Sequence, residues 1–467
     1  MGTRRRPSAK LWAVGASALL LLVSVVSQSA LAQPSSDANS SFTVVTSIPL
    51  SEVPGAGEDV AYDGANGNLY IPSFSLPQAN GTVTVVSGAT NSIIATPTAG
   101  WEPVYAGVDS SNGNVYVSDY DAACSNCGSH FWQAPPNVTV VSGSTNSAIA
   151  SVQLMLNSTS NPFNPQGIAF DNDNGDLYVA DGGLFGLGGG ALTVISGSNN
   201  SVIANIRIPG TVYSDFYDPL NGDIYVPGAN LSVISGATNR LIASIALPGG
   251  TESTPVLDPS NGDIYVVSPF GVDIISGTTG ELIQTVPRPS ADIGFASGFV
   301  DSQGNVCMLQ AGYPANVTVF SGASNAVLST FSIGSANGMS YDPAGGVILS
   351  YGVGTTGVVN FTSLTSHALV QTLDVTRGWI TSTIVYDPGN GEFYVLGNSG
   401  GTLAVVANAT TSGPGSVNTL SSTDLIVAAG VSFAAGALVV GVLLRSAQRR
   451  RRSPSSASPT SSEKEQS

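Results

Sequence analysis

Lysine is missing from residues 33–424, which set four arginines (Arg207, Arg240, Arg288, Arg377) against 28 acidic residues, a formal charge of −24. A surface so poor in cations cannot neutralise phosphates, which excludes nucleic acid as a partner. Histidine is almost as scarce, with only His130 and His367, and there is no G-x-S-x-G or H-E-x-x-H stretch. Histidine-dependent triads and zincin chemistry are therefore not supported. Three cysteines cannot staple a disulfide-rich scaffold. Charged residues of either sign make up only 9 % of the chain. Acidic surroundings are one expectation from this balance, because protonated carboxyls would leave added lysines as a large positive excess. Between residues 42 and 411 no stretch has a helical hydrophobic period.

What is present repeats. The stretch DNDNGDLYVAD (Asp171 to Asp181) looks like a calcium loop, but an EF-hand needs glycine at position 6 and glutamate at 12. Here the glycine falls at position 5 and Gly182 takes the glutamate's place. The same stretch recurs as DGANGNLYI from Asp63, DSSNGNVYV from Asp109, DPLNGDIYV from Asp218, DPSNGDIYV from Asp258 and DPGNGEFYV from Asp387. Two decayed copies start at Asp301 and Asp342, and the Asp-to-Asp intervals are 46, 62, 47, 40, 43, 41 and 45 residues. Each copy is followed by an apolar run and a small polar turn, such as VTVVSGATN at Val83 or LSVISGATN at Leu231, then by another run such as SVIANIRIPG at Ser201. Four short strands in about 45 residues predict a β-propeller blade. In the turn, Asp bonds backbone two residues on and Asn-Gly supplies positive φ.

These residues resemble the YVTN family of β-propeller repeats, common in secreted and archaeal surface-layer proteins. The likeness rests on D-x-x-N-G-x-x-Tyr-Val followed by the SGATN-type turn, over most of residues 42–411. It implies the fold and says little about the ligand, since the motif residues build the blade. Ser118-Asp119, Ala180-Asp181 and Pro227-Gly228 depart from the Thr-Asn of the family name.

The expected architecture is all-β: a propeller of four-stranded blades over 33–411, closed by an N-terminal strand, plus one C-terminal transmembrane helix. Eight Asp turns favour eight blades; seven would follow if one decayed copy is not a separate blade. The eighth copy stops after TLAVVANAT at Thr402, and the missing outer strand is expected to be FTVVTSIPL, Phe42 to Leu50. Residues 1–32 read as a signal peptide, with four positive charges, an apolar run and Ala30-Leu31-Ala32. After a 412–424 linker, 425–444 are twenty uncharged apolar residues followed by an arginine cluster, so a membrane span with the 445–467 tail in the cytoplasm is expected.

Candidate site residues are few. Cys124 and Cys127, with His130, lie in the longest insertion, 118–137. A disulfide between the two cysteines is the leading reading; a metal site drawing on Asp119 or Asp121 and free thiols are the others. Trp101, Tyr120, Phe131, Trp132 and Trp379 are candidates for a recognition surface on the loop face, or for caps on the blade tops. Loops at Phe74 to Asn80 and Gly182 to Gly190, and connections AGWEPVY and TRGWITS, are expected on that face. Nine sequons occur, at Asn39, Asn80, Asn137, Asn157, Asn199, Asn230, Asn316, Asn360 and Asn408. Cys307 stands where other copies have tyrosine and is expected as a buried thiol. No cofactor is expected. The expected function is a membrane-anchored cell-surface protein that binds an extracellular protein or glycan and is not an enzyme. The alternative is an extracellular propeller enzyme, a calcium-dependent hydrolase or lactonase or a quinone-dependent dehydrogenase.

Overall fold

The computed structural model describes residues 41–409 apart from 51–58, 74–79, 122–135, 155–164, 183–189, 213, 252, 289–296, 353–355 and 398–400. The expected signal peptide, linker, transmembrane helix and tail lie outside the described residues.

Every described element is a strand, and the strands form eight blades. Blade 1 is Ala61–Asp63, Asn68–Ser73, Thr82–Ser87 and Ser92–Ala95, paired antiparallel in chain order from an inner to an outer strand. Five further blades repeat that order. Blades 7 and 8 are joined by one strand, Leu369–Asp387, whose first half is the outer strand of blade 7 and whose second half is the inner strand of blade 8. Of the segments expected as connections, AGWEPVY is corrected, since Trp101–Asp109 is the inner strand of blade 2, while TRGWITS (376–382) is the middle of Leu369–Asp387, where the chain crosses from blade 7 to blade 8.

Ring closure follows the expectation. Phe42–Pro49 pairs antiparallel with Thr402–Asn408, from Phe42 opposite Asn408 to Pro49 opposite Thr402, as the outer strand of blade 8. Pairing removes a free sheet edge inside the ring. The Phe42 ring is buried and stacks on Phe361 of blade 7 at 4.3 Å, with Phe393 of blade 8 edge-on at 6.4 Å.

The hydrophobic core is eightfold. Each buried cluster draws on two adjacent blades, from Tyr70, Val85, Val115 and Val117 between blades 1 and 2 round to Val60, Leu69, Tyr394 and Val405 between blades 8 and 1. This explains why the second and third strands are buried on both faces, as in NVTVVS, where all six residues are buried. The outer strands are half-exposed, and each carries a register shift at the same place. In blades 1 to 6 the extra residue is Ile94, Ile149, Ile203, Ile242, Ile283 or Leu328. Such bulges twist an edge strand and hinder pairing with another chain.

The motif turn differs from the expectation that both Asn and Gly supply positive φ. Gly67 N donates to Asp63 O at 2.8 Å, closing a turn of five residues in which only the glycine has positive φ, +70°. Asp63 Oδ1 accepts from Ala65 N, two residues on, as expected, and the other seven copies keep this bond. The asparagine has a different task. Asn66 Oδ1 accepts from Asn68 N, and its Nδ2 donates to Gly143 O in the third-to-outer turn of blade 2. Asn112, Asn174, Asn261 and Asn390 reach Gly197, Gly236, Gly322 and Gly88 in the same way.

The tyrosine of Tyr-Val makes a second link. Tyr70 OH donates to Asn146 Oδ1 of blade 2 at 3.0 Å, Tyr116 to Asn200 of blade 3, Tyr178 to Asn239 of blade 4, Tyr265 to Asn325 of blade 6 and Tyr394 to Asn91 of blade 1. Those asparagines sit at φ between +50° and +59°. Asparagine tolerates the left-handed region better than other side chains and carries an acceptor, so one residue closes the turn and receives the neighbour's hydroxyl. The link lapses where either partner is replaced: Gly280 faces Tyr225, and Cys307, fully buried and free as expected, faces the His367 turn.

Candidate binding face

Antiparallel pairing in chain order sends the inner-to-second and third-to-outer turns to one end of the ring. The second-to-third connections and the crossings between blades go to the other end. At the first end every turn is short and closed by backbone bonds such as Gly88 N to Gly67 O and Gly143 N to Gly113 O. The glycine is obligatory there, because a Cβ on Gly143 would lie 2.2 Å from Gly113 O. At the second end lengths vary: the connection in blade 2 runs from Asp121 to Asn137, whereas in blade 5 Ser268 is followed by Gly271. Function tolerates variation at loops held on a rigid frame, so the second end is the candidate face.

The frame beneath the blade 2 insertion is a buried polar cluster. Asp119 accepts hydrogen bonds from Thr139 Oγ1 at 2.7 Å and Asn137 Nδ2 at 3.0 Å, while Gly100 N donates to Thr139 Oγ1. Burial pushes the Asp119 carboxyl well above its ordinary value, offset in part by Thr139. Its place leaves no room for change, since a Cβ on Gly100 would lie 2.6 Å from the Asp119 carboxyl carbon. Asp119 is thus a buried acid of the blade frame, held through Oδ2, while the cysteines and His130 of the metal reading lie outside the described residues. Asp181 holds the same position in blade 3 and is likewise buried. Among the described residues no group of three His, Cys, Asp or Glu is placed to hold a metal.

The candidate aromatics divide. Trp101 is 5 % exposed and belongs to the blade top, so it is not an exposed contact residue. Tyr120 and Trp379 lie in the strands Asn114–Asp121 and Leu369–Asp387, and their side chains lie outside the described residues. Phe131, Trp132, Cys124, Cys127 and His130 lie outside the described residues altogether.

The sequons divide too. Asn80 is exposed before the third strand of blade 1, and Asn199 is exposed at the opposite end, in a third-to-outer turn, with Oδ1 accepting from Ser201 Oγ. Asn230, Asn316 and Asn360 are half-buried. Asn137 is 2 % exposed with Nδ2 committed to Asp119 and Ser151, and Asn408 is 6 % exposed, so neither accommodates a glycan in the folded ring. Asn39 and Asn157 lie outside the described residues.

Sequence reasoning missed the partners of the blade turns. His367 is not a chemical group in waiting: it occupies the asparagine position of its turn at φ +60° and stacks on Phe331 at 4.1 Å. The aligned SGATN turns carried that signal, since His367 falls in register with Asn91 and Asn146.

No protein-family model and no curated protein matches the chain. The resemblance to YVTN repeats therefore rests on the quoted residues alone. Solved structures do match. The computationally designed Ika8 protein is similar at 11 % identity, over 77 % of this chain and 98 % of that one, with a TM-score of 0.54. BamB from Moraxella catarrhalis is similar at 14 % identity, over 79 % of this chain and 100 % of that one, with a TM-score of 0.52. What the chain shares with both is its fold, an eight-bladed β-propeller of four-stranded blades.

Proposed function

We propose that the chain is a membrane-anchored extracellular binding protein that engages a protein or glycan through its loop face. The observation that carries this reading is the contrast between the two ends: uniform, internally bonded turns at one, connections of variable length at the other. A scaffold that spends its repeated polar residues on holding blades together leaves recognition to the unrepeated loops. The apolar run 425–444 with its arginine cluster supports the anchor, and the four charges, apolar run and Ala30-Leu31-Ala32 support export.

Full-length protein in nonionic detergent, screened on glycan arrays and against solubilised envelope proteins, tests the reading. Replacing residues 123–135 with a short Gly-Ser turn is expected to abolish or change binding while the melting temperature holds. Unaltered binding in that variant would refute the loop-face assignment. Calcium-dependent ester hydrolysis or dye-linked oxidation would establish the enzyme alternative instead.

A further inference from the structure

Four motif aspartates meet the next blade with one oxygen buried and no protein donor on it: Oδ2 of Asp63, Asp109, Asp218 and Asp258. Each is at most 2 % exposed, and each uses Oδ1 to accept from the backbone two residues on. The next blade's residue in register is the one just before its own motif aspartate. At these four interfaces it is Val108, Phe170, Leu257 or Val300, none of which donates.

Elsewhere the same position is tyrosine. Tyr62 donates to Asp387 across the closure of the ring, Tyr217 lies against Asp171 and Asp173, and Tyr341 bonds Ser302 in the Asp301 turn. The repeat therefore has a donor slot, filled at some interfaces and apolar at others. The ionisable groups facing Asp63 are Tyr62 and Tyr70; those facing Asp218 are Asp223 and Tyr225; those facing Asp258 are Asp263 and Tyr265. From the next blade come only the glycine turns and apolar residues, with a Cβ on Gly143 3.2 Å from Asp63 Oδ2 and one on Gly322 2.9 Å from Asp258 Oδ2. Among the described residues no cation acts on any of the three. Asp109 stands apart, because its Oδ1 takes three hydrogen bonds from Ser111 and Asn112.

We propose that Asp63, Asp218 and Asp258 are proton-binding sites at the blade interfaces, and that the ring is built to be most stable in acidic surroundings. A bound proton removes the cost of burying a carboxylate without a donor. Burial raises all three above the ordinary 3.8, and it carries Asp59, which bridges blades 1 and 2 through Ala106 N, to about 7. A carboxyl whose folded value is raised favours the folded state fully below its unfolded value and loses that contribution as pH rises through the folded value. The window runs upward from 3.8, as far as about 7 for Asp59. The charge of −24 on residues 33–424 acts in the same direction.

The test is thermal unfolding of the full-length protein in nonionic detergent across acidic and neutral pH. The native melting temperature is expected to be highest near pH 4 and about 5–10 °C lower near pH 8. The triple variant D63N/D218N/D258N, whose amide keeps the Oδ1 contact and adds a donor, should melt about 2–5 °C above native near neutral pH and level with it near pH 4. Tyr62→Phe, which removes a donor from the Asp387 interface, should lower melting near neutral pH only; with D218N alone it serves should the triple variant not fold. A native melting temperature that is flat or rises toward neutrality overturns the proposal, as do variants that shift melting equally at both pH values. Those are the outcomes expected if solvent supplies the donor.

Discussion

Replacing Gly280 by asparagine should stabilise the protein. Gly280 takes the place that Asn91, Asn146, Asn200, Asn239 and Asn325 hold in other blades, and its φ of +68° lies in the same region as theirs. Its turn closes in the same way, Gly280 N donating to Ser276 O at 2.8 Å as Asn239 N donates to Ser235 O. A Cβ there meets nothing closer than Ile245 Cδ1, at 3.7 Å, an ordinary contact. Tyr225, the residue that should reach it from blade 4, is 2 % exposed, and its hydroxyl takes a hydrogen bond from Asn221 Nδ2. Gly280→Asn would give that hydroxyl the acceptor its counterparts use. A net intramolecular hydrogen bond contributes about 0.5–1.5 kcal/mol, and replacing glycine in the unfolded chain adds a few tenths of a kcal/mol. Strain at positive φ is small for asparagine and subtracts from this. The expected gain is about 1 kcal/mol, which for a ring of this length raises melting by only about 1–2 °C. Urea titration is the better assay, with the midpoint moving up and the slope unchanged. A double-mutant cycle with Tyr225→Phe locates the effect: the coupled part of the gain should vanish when the hydroxyl is absent. An unchanged or lower midpoint, or a gain that persists in full with Tyr225→Phe, would refute the claim that the tyrosine and asparagine pair holds blades together.

Gly143→Ala and Gly67→Ala should part company: the first puts a Cβ 2.2 Å from Gly113 O and should cost several kcal/mol or prevent folding, while the second, in open space at φ +70°, should cost about 1 kcal/mol. Denaturant midpoints compare the two. Phe42→Ala removes a ring stacked on Phe361 and should cost about 3–5 kcal/mol by the same measurement, with the loss concentrated at the closure of blades 7 and 8. If the protein is made in a glycosylating host, peptide mass spectrometry should find Asn199 modified and Asn137 bare, following their exposure.

The ring was legible because its signal is repeated. Any one DxxNG stretch is ambiguous, as the calcium-like Asp171 loop shows, but six of them with two decayed copies at a period near 45 predict blades, and the orphan strand Phe42–Pro49 could be matched to the blade lacking it. What single copies could not show was direction across the interface. The asparagine of the motif reads locally as a turn residue, and its bond to the neighbouring blade joins residues such as Asn66 and Gly143, far apart in the chain. Burial was equally hidden: Trp101 and Asn137 carry surface-type chemistry in sequence, yet the packing of blade 2 encloses both. The candidate face was legible only as a place, because loops without a repeat give no second copy to compare.

The pairing of Phe42–Pro49 with Thr402–Asn408 also has a mechanical meaning. A pull applied to the chain beyond Asn408 enters the ring through a strand with hydrogen-bonded neighbours on both sides, Glu392–Gly397 and Phe42–Pro49. Antiparallel neighbours resist such a tug in shear, many bonds at once, and do not peel open one by one as a free edge strand would. The closing strand thus acts as a lap joint at the point where tension on the chain beyond Asn408 would first be felt.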